Sequence, residues 1–434
     1  MTRLAIIADD LSSATDCGAQ VVRSGLSVVV PLGSYSLPNQ RRTAQVISVD
    51  TDSRSLPAKA AFARVRAAAG QLVDEGWSHF YKSVDSTLRG NLGVEVEAVM
   101  GIVKPDCAVI ASAFPKYGRT TVEGVQYLHG RPLHETEFGT DPTAPVRDAN
   151  IARRLAEGSP RKAGRLELAQ VRAGPSEVQR AVRGLLGDGI ELVVVDIAEQ
   201  DDLRRICLGL AESDLRILWV GSTGLAEFVP LAFGAASTHE SLTRDPLPDP
   251  RPSLALVGSA SETTRAQLEY ARTNHQLNII HLDPACIVRG GGTAKKELDR
   301  AGSDLRAAID SGQDAALVVN ASRDEIAATQ QLGASLDLSA AEVAQRIVDA
   351  LAQAGSEIVH EGTISGIVAT GGDTANALCS ALGAQALEIL GEVEAGIPVM
   401  HVLGEWSLPL VTKAGGFGSP AAIGDALVKV KQYA

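Results

Sequence analysis

Short apolar runs alternate with stretches of helical period along almost the whole of this chain. Residues 4–8 are an uninterrupted apolar run. Asp9, Asp10 and the pair Ser12-Ser13 follow, then apolar positions three and four apart to about Ser24, with Gly25 as a stop. The pattern predicts a buried strand feeding a helix that the serine pair N-caps. Further strand patterns fall at 26–32, 45–49, 79–83, 108–112, 192–196 and 217–220, with helical patterns at 57–75, 94–103 and from Ser176 onward. Between Phe114 and about Arg172 the rhythm fails, which predicts a long loop serving function or an interface, and makes this stretch the candidate contact of a homodimer. Residues 243–253 hold four prolines and little that packs, and are expected to be a stiff linker. A second alternation then places strands at 254–257, 278–282, 315–319, 366–369, 399–403 and 408–411. The expected fold class is α/β: two α/β domains, 1–242 and 254–434, with largely parallel sheets and an active-site cleft between the domains.

Composition narrows the class of molecule. The 434 residues are 45% hydrophobic and only 4% aromatic, the palette of an α/β enzyme. A net charge of −12 argues against a nucleic-acid or anionic-membrane surface, but not against phosphate binding, which backbone amides perform. Five cysteines lie far apart with no metal-ligand spacing, which favours reduced thiols in a cytoplasmic protein. No apolar run approaches the ~20 residues of a membrane span, and a strand beginning at residue 4 leaves no room for a signal peptide. The eight histidines form no paired-ligand pattern, so no metal ligand is assigned.

Chemistry-bearing residues collect at predicted strand ends, where open α/β sheets bind ligands. Asp9 and Asp10 can hold polyol hydroxyls or Mg²⁺ or take a proton, or can simply favour the helix N-terminus they precede. Residues 81–91 leave another strand and supply Lys82, Ser83, Asp85, Ser86, Thr87, Arg89 and Asn91. Cations of this kind clamp carboxylates, and Asp85 can bond a hydroxyl or act as the base; the alternative is a polar loop capping the next helix through Ser86 or Asn91. Arg54 ends a third strand and joins them if the strands are neighbours. In the second domain, Ser259 and Ser261 sit on a small-residue turn, Gly371, Gly372, Asp373 and Thr374 form a glycine turn at a helix start, and Gly415 and Gly416 repeat the device. No G-x-x-x-x-G-K-[ST], no G-x-G-x-x-G after a strand and no G-x-S-x-G occurs, which sets aside P-loop enzymes, dinucleotide binding and serine hydrolysis.

Taken in order, Ala8-Asp-Asp-Leu11 with Ala14-Thr-Asp16, Asp52-Ser-Arg54, Lys82 with Asp85-Ser-Thr-Leu-Arg-Gly-Asn91, Phe114-Pro with Gly118-Arg-Thr-Thr121, Pro132-Leu-His-Glu-Thr136, Gly258-Ser259, Gly371-Gly-Asp-Thr374, Gly391-Glu with Gly396-Ile-Pro398, and Phe417-Gly418 resemble the four-carbon acid sugar kinase family over nearly the whole chain. The resemblance implies an ATP- and Mg²⁺-dependent kinase that phosphorylates the terminal hydroxyl of threonate, erythronate or a 3-oxo-tetronate. It implies an acid-sugar domain at 1–242 and a nucleotide domain at 254–434. Carried residue by residue, Asp9, Asp10, Arg54, Lys82, Ser83, Asp85 and Arg89 form the sugar site, with Asp10 or Asp85 catalytic. Ser259, Gly371 to Thr374, Gly415 and Gly416 then form the nucleotide site. Ser12-Ser13 stands where the family has Thr-Gly, which bears on the identity of the substrate. Ala414-Gly415-Gly416 stands where it has Ser-Gly-Asn, which removes one side-chain contact to the nucleotide. The alternatives are a kinase of another or branched acid sugar, a dehydrogenase, which the missing dinucleotide motif disfavours, and a non-catalytic sugar-acid binding protein, which needs no glycine turns.

Overall fold

Strand β1 (Leu4–Ala8) is buried along its full length and passes directly into α1 (Leu11–Val22). The serine pair does not cap this helix. Asp10 is the N-cap, its carboxylate accepting from the Ser13 N–H at 2.7 Å, so the helix starts two residues earlier than the Ser-Ser pair suggests. In the computed structural model, residues 3–39, 42–141, 144–234, 251–258, 261–319 and 323–434 are described. They divide into two units, Met1–Ser241 and Leu242–Ala434. Most of the expected linker, 243–250, lies outside the described residues. No helix among the described residues is long and apolar enough to cross a membrane.

In the first unit, β2 (Val28–Pro31), β3 (Val46–Asp50), α2 (Ala58–Asp74), β4 (His79–Ser83), α3 (Leu92–Val103) and β5 (Cys107–Ala111) follow α1. Strands β6 (Arg119–Val122), β7 (Val125–Leu128) and β8 (Arg131–Pro132) form a separate antiparallel sheet. Strands β9 (Ala163–Leu166), β10 (Leu192–Val195) and β11 (Ile217–Gly221) return to the main one. Its order is β2-β3-β1-β4-β11-β5-β10-β9, and every neighbouring pair is parallel. Parallel strands are covered on both faces, which is why these strands read as continuous apolar runs. On one face Ala5, Ile7, Ile47 and Val49 pack with Val65, Ala68 and Leu72 of α2 and Val96 and Val99 of α3. Because β1 lies between β3 and β4, the chain changes direction across the sheet at β1, the kind of switch point outside whose strand carboxyl ends open α/β sheets bind ligands.

The expectation of a long irregular loop at 114–172 is corrected. The segment holds β6 to β9 and several short helices. Two-residue turns, Glu123-Gly124 and His129-Gly130, join β6 to β7 and β7 to β8, and all four residues have positive φ. That is the hairpin geometry whose twist matches that of the strands it joins, but Glu and His in place of Asn or Asp hide its usual signal.

In the second unit, β12 (Leu254–Val257), β13 (Asn278–Leu282), β14 (Ala315–Val319), β15 (Ile367–Thr370), β16 (Ala384–Glu392), β17 (Pro398–Gly404) and β18 (Pro409–Lys413) are ordered β13-β14-β12-β15-β18-β17-β16. The first five are parallel, and β18-β17-β16 are antiparallel. Strand β16 is absent from the sequence-derived set because irregularities at Ala384/Ala386 and Ile389/Gly391 break its period-two alternation. Val257, Val368, Val399 and Val411 form its core with Ile423, Leu427 and Val430 of the last helix.

Candidate active site

Adjacency of β3, β1 and β4 brings the three acidic and basic loops of the first unit together. Ala8 pairs with Asp50 and Ile7 with Lys82, so Asp9, Arg54 and Asp85 leave neighbouring strands at one edge. Arg54 holds the group. Its Nε and Nη2 donate to the two oxygens of buried Asp9 at 2.8 and 2.9 Å, Nη2 also donates to Ser13 Oγ at 2.8 Å, and Nη1 pairs with Asp10. A bidentate arginine–carboxylate pair of this kind fixes both partners in plane. Asn91 adds a brace by donating from Nδ2 to the carbonyls of Ser53 and Leu56.

The carboxylates differ in electrostatics. Burial raises the Asp10 pKa above the ordinary value, with Asp9 adding to the rise and Arg54 opposing it. Asp50, at the end of β3, is pushed up to about 6, chiefly by burial and further by Asp10. Asp85 is also buried, but Arg54 and Arg89 outweigh that burial and hold its pKa below the ordinary value. Burial works against the Arg54 charge, yet the Asp9 and Asp10 carboxylates more than compensate and its pKa rises. One carboxyl poised to take a proton beside one held ionised is the arrangement acid–base chemistry needs.

The basic residues singled out in the sequence are already engaged. Lys82 is completely buried. Its Nζ pairs with buried Glu95 at 2.8 Å and donates to the carbonyls of Ile7 at 3.2 Å and Ser83 at 2.6 Å, so its three donors are used inside the fold. Ser83 is equally buried, its Oγ 3.3 Å from Cys17 Sγ. Arg89 donates from Nε to Asp85 at 2.5 Å, stands 3.7 Å from Asp141 and lies over the Phe138 ring at 5.5 Å. Asp85 also accepts from Thr87 Oγ1 at 2.6 Å. The structure thus brings Asp9, Asp10, Arg54, Asp85 and Arg89 together at the strand ends, while Lys82 and Ser83 support them from beneath.

In the second unit the loops after β12, β15 and β18 are likewise neighbours. Ser259 lies outside the described residues. Gly258 stands so close to Thr374 that a Cβ there would fall 2.5 Å from its Oγ1. Gly371, at φ +95°, ends β15 and opens the helix Gly372–Ala381, with its N–H on the Lys413 carbonyl at 2.9 Å. Gly372 and Asp373 are exposed there, and a Cβ on Gly372 or Gly416 would meet nothing. A helix N-terminus ringed by glycines offers backbone N–H groups to phosphate oxygens.

This loop set is held by Ser261 of the small-residue turn and by three side chains that sequence reasoning did not assign, Thr264, Gln267 and Lys413. The Gly415 carbonyl accepts from Ser261 Oγ at 2.5 Å, Thr264 Oγ1 at 2.9 Å and Lys413 Nζ at 3.1 Å. Lys413 Nζ also donates to the carbonyls of Ala414 and Phe417, each at 2.9 Å, and burial pushes its pKa down to about 8. Gln267 Nε2 donates to the carbonyls of Phe417, Gly418 and Ser419. The roles of Ser261, Thr264 and Gln267 are invisible in sequence because each acts through a backbone carbonyl at least 150 residues away.

Residues 4–229 match the family described as the sugar-binding N-terminal domain, and residues 254–423 match the nucleotide-binding C-terminal domain. The chain is 32% identical to a D-threonate kinase of Salmonella typhimurium, over 99% of each protein. It is 30% identical to a D-erythronate kinase of Heliobacterium modesticaldum, over 97% of this chain and 95% of that one, and 30% identical to a 3-oxo-tetronate kinase of Cupriavidus necator, over 98% and 96%. Its fold is that of a solved Haemophilus influenzae protein, with a TM-score of 0.79 at 24% identity over 97% of this chain and 98% of the other. With both halves matched, in order and nearly end to end, the chain belongs to the four-carbon acid sugar kinase family.

Proposed function

We propose that the protein transfers the γ-phosphate of ATP to the terminal hydroxyl of a four-carbon acid sugar of the threonate, erythronate or 3-oxo-tetronate class. The observation that carries this reading is the Arg54-bridged pair Asp9–Asp10 beside Asp85, in the unit that matches a sugar-binding domain. Asp10, the carboxyl made more basic by burial, takes the proton of the attacking hydroxyl. Asp85, held ionised by Arg54 and Arg89, orients that hydroxyl. The glycine loops after β12, β15 and β18 receive the triphosphate. Phosphoryl transfer needs little covalent help from a protein, so positioning and charge supply the rate.

ATP arrives as its Mg²⁺ complex. Among the described residues no group of three ligating side chains suits a metal, and Mg²⁺ bound mainly by phosphate oxygens and water needs only a carboxylate or two. Exposed Asp373, in the first turn of the helix Gly372–Ala381, fits that demand. The ion would neutralise charge on the phosphates. We place the reaction in the cytoplasm, on the five free thiols, four of them buried.

A coupled ADP-release assay with Mg²⁺-ATP and a panel of D- and L-threonate, D- and L-erythronate, glycerate and 3-oxo-tetronates tests the proposal. Turnover confined to tetronates is expected; absence of both ATP binding and turnover overturns it. The nucleotide assignment has its own check. Gly258→Ala should displace Thr374 and raise the KM for ATP about tenfold, the ~1.4 kcal/mol of one lost contact, while the KM for the acid sugar stays put. An unchanged KM for ATP would remove the β12 loop from the nucleotide site.

A further inference from the structure

The acid sugar brings one permanent anion, its carboxylate, and the cations expected to receive it are committed elsewhere. Arg54 is shared among Asp9, Asp10 and Ser13, Arg89 is bound to Asp85, and Lys82 is sealed against Glu95. Arg119 is different. It stands at the start of β6, its backbone paired both ways with Phe114. Its guanidinium makes no hydrogen bond or ion pair among the described residues, and its Nε is buried without a partner. The ring of Tyr117 lies 5.8 Å from it, which leaves the in-plane N–H donors unused.

The hairpin that carries Arg119 is tied to the sugar-site loop. Gln126 of β7 donates from Nε2 to the Ser86 carbonyl at 2.9 Å, and its Oε1 accepts from Thr121 Oγ1 at 2.6 Å and from Ser112 Oγ at 3.2 Å. This clamp sets β6 beside the Asp85–Arg89 loop, close enough for Asp85, Arg89 and Glu137 to act on the Arg119 charge. Burial nonetheless dominates and lowers its pKa, the mark of a desolvated cation short of a counter-anion. A desolvated charge without a partner is costly, and a planar fork of free N–H donors matches a carboxylate.

We propose that Arg119 receives the carboxylate of the acid sugar and so sets the preference for acid over neutral sugars. The assignment rests on the kinase reading above. Anchoring the carboxylate at β6 leaves the distal end of the four-carbon chain to Asp10 and Asp85.

The test compares wild type, Arg119→Gln and Arg119→Lys on the tetronate the assay selects and on the matching tetritol, in which the carboxylate is a hydroxymethyl group. The tetritol is measured as substrate and as competitive inhibitor. Arg119→Gln should raise the KM for the tetronate about 30- to 100-fold, the size of a lost charge-assisted pair, and leave the KM for ATP within about twofold. The wild-type preference for acid over alcohol should vanish in Arg119→Gln and fall part-way in Arg119→Lys, which keeps charge but loses the fork. An unchanged tetronate KM, or an equal loss on acid and alcohol, overturns the assignment. If Arg119→Gln does not fold, the acid-to-alcohol ratio of Arg119→Lys decides by the same criterion. An active wild type with an indifferent variant defeats the Arg119 assignment alone, whereas a wild type inactive on every tetronate defeats the kinase reading and this assignment with it.

Discussion

Asp10→Asn lowers kcat by about 10³-fold with little change in either KM, and the folded protein survives. The magnitude is that of a general base lost from a positioned proton transfer, about 10²- to 10⁴-fold. Asn keeps an oxygen for the Ser13 N–H, so the N-cap of α1 persists, and the Arg54–Asp9 pair is untouched. The pH sign follows from the raised Asp10 pKa. A carboxyl that binds its proton more tightly when folded makes the protein less stable as pH rises from its unfolded pKa through its folded one. Removing that charge therefore leaves the unfolding midpoint at neutral pH within a few degrees, or raises it. Activity runs the other way. In wild type kcat falls as pH drops through the raised pKa, and Asp10→Asn flattens that acid limb. Asp50, pushed up to about 6, is the group most easily confused with it, so Asp50→Asn should retain the limb. A pH profile of Asp10→Asn with near-normal kcat, or with the acid limb intact, would return the proton to Asp85.

Lys82→Met carries the largest expected cost in stability. It leaves the buried Glu95 carboxylate with the Ser53 hydroxyl as its one remaining side-chain partner among the described residues, and breaking a buried pair in this way costs about 3–5 kcal/mol. For a unit of this size that is roughly a 10 °C fall in the melting temperature. Lys82→Met combined with Glu95→Leu removes both charges and should regain much of the loss, since an apolar replacement of a buried ion pair is often near neutral. The double variant also separates two roles for Lys82. If the lysine acts by holding the Ile7 and Ser83 carbonyls, and through them the ends of β1 and β4, the double variant is a weakened but tetronate-binding protein. A stable double variant with abolished tetronate affinity would instead make Lys82 a direct substrate contact. Calorimetry and tetronate titration on the three variants decide between them.

Much of this molecule is legible in one sequence. Leu254–Val257 and Ala315–Val319 stand where their apolar runs place them, because a parallel strand buried on both faces is apolar throughout. Strands β16 and β6 to β8, all antiparallel, escape for the converse reason, whereas β17 and β18 are legible at 399–403 and 408–411. Strand β16 carries bulges and β6 to β8 are short, half-exposed and joined by Glu-Gly and His-Gly turns, so neither period nor turn chemistry announces them. The residue types of the site are legible too, since carboxylates and glycines at strand ends have few other uses in such number.

Local sequence by itself determined most strands of the two runs and the strand-end loops that carry Asp10, Asp85 and Gly371 to Thr374, while the class of chemistry followed from the family resemblance along the whole chain. Tertiary structure alone decided which loops meet. Strand order put β3, β1 and β4 side by side, let Arg54 bind Asp9 and Asp10 from 45 residues away, and buried Lys82 against Glu95. It also folded an irregular-looking segment into the hairpin that presents Arg119. The reason is physical. Periodicity and turn residues are set by neighbours along the chain, whereas burial, pairing and the shift of a pKa are set by neighbours in space.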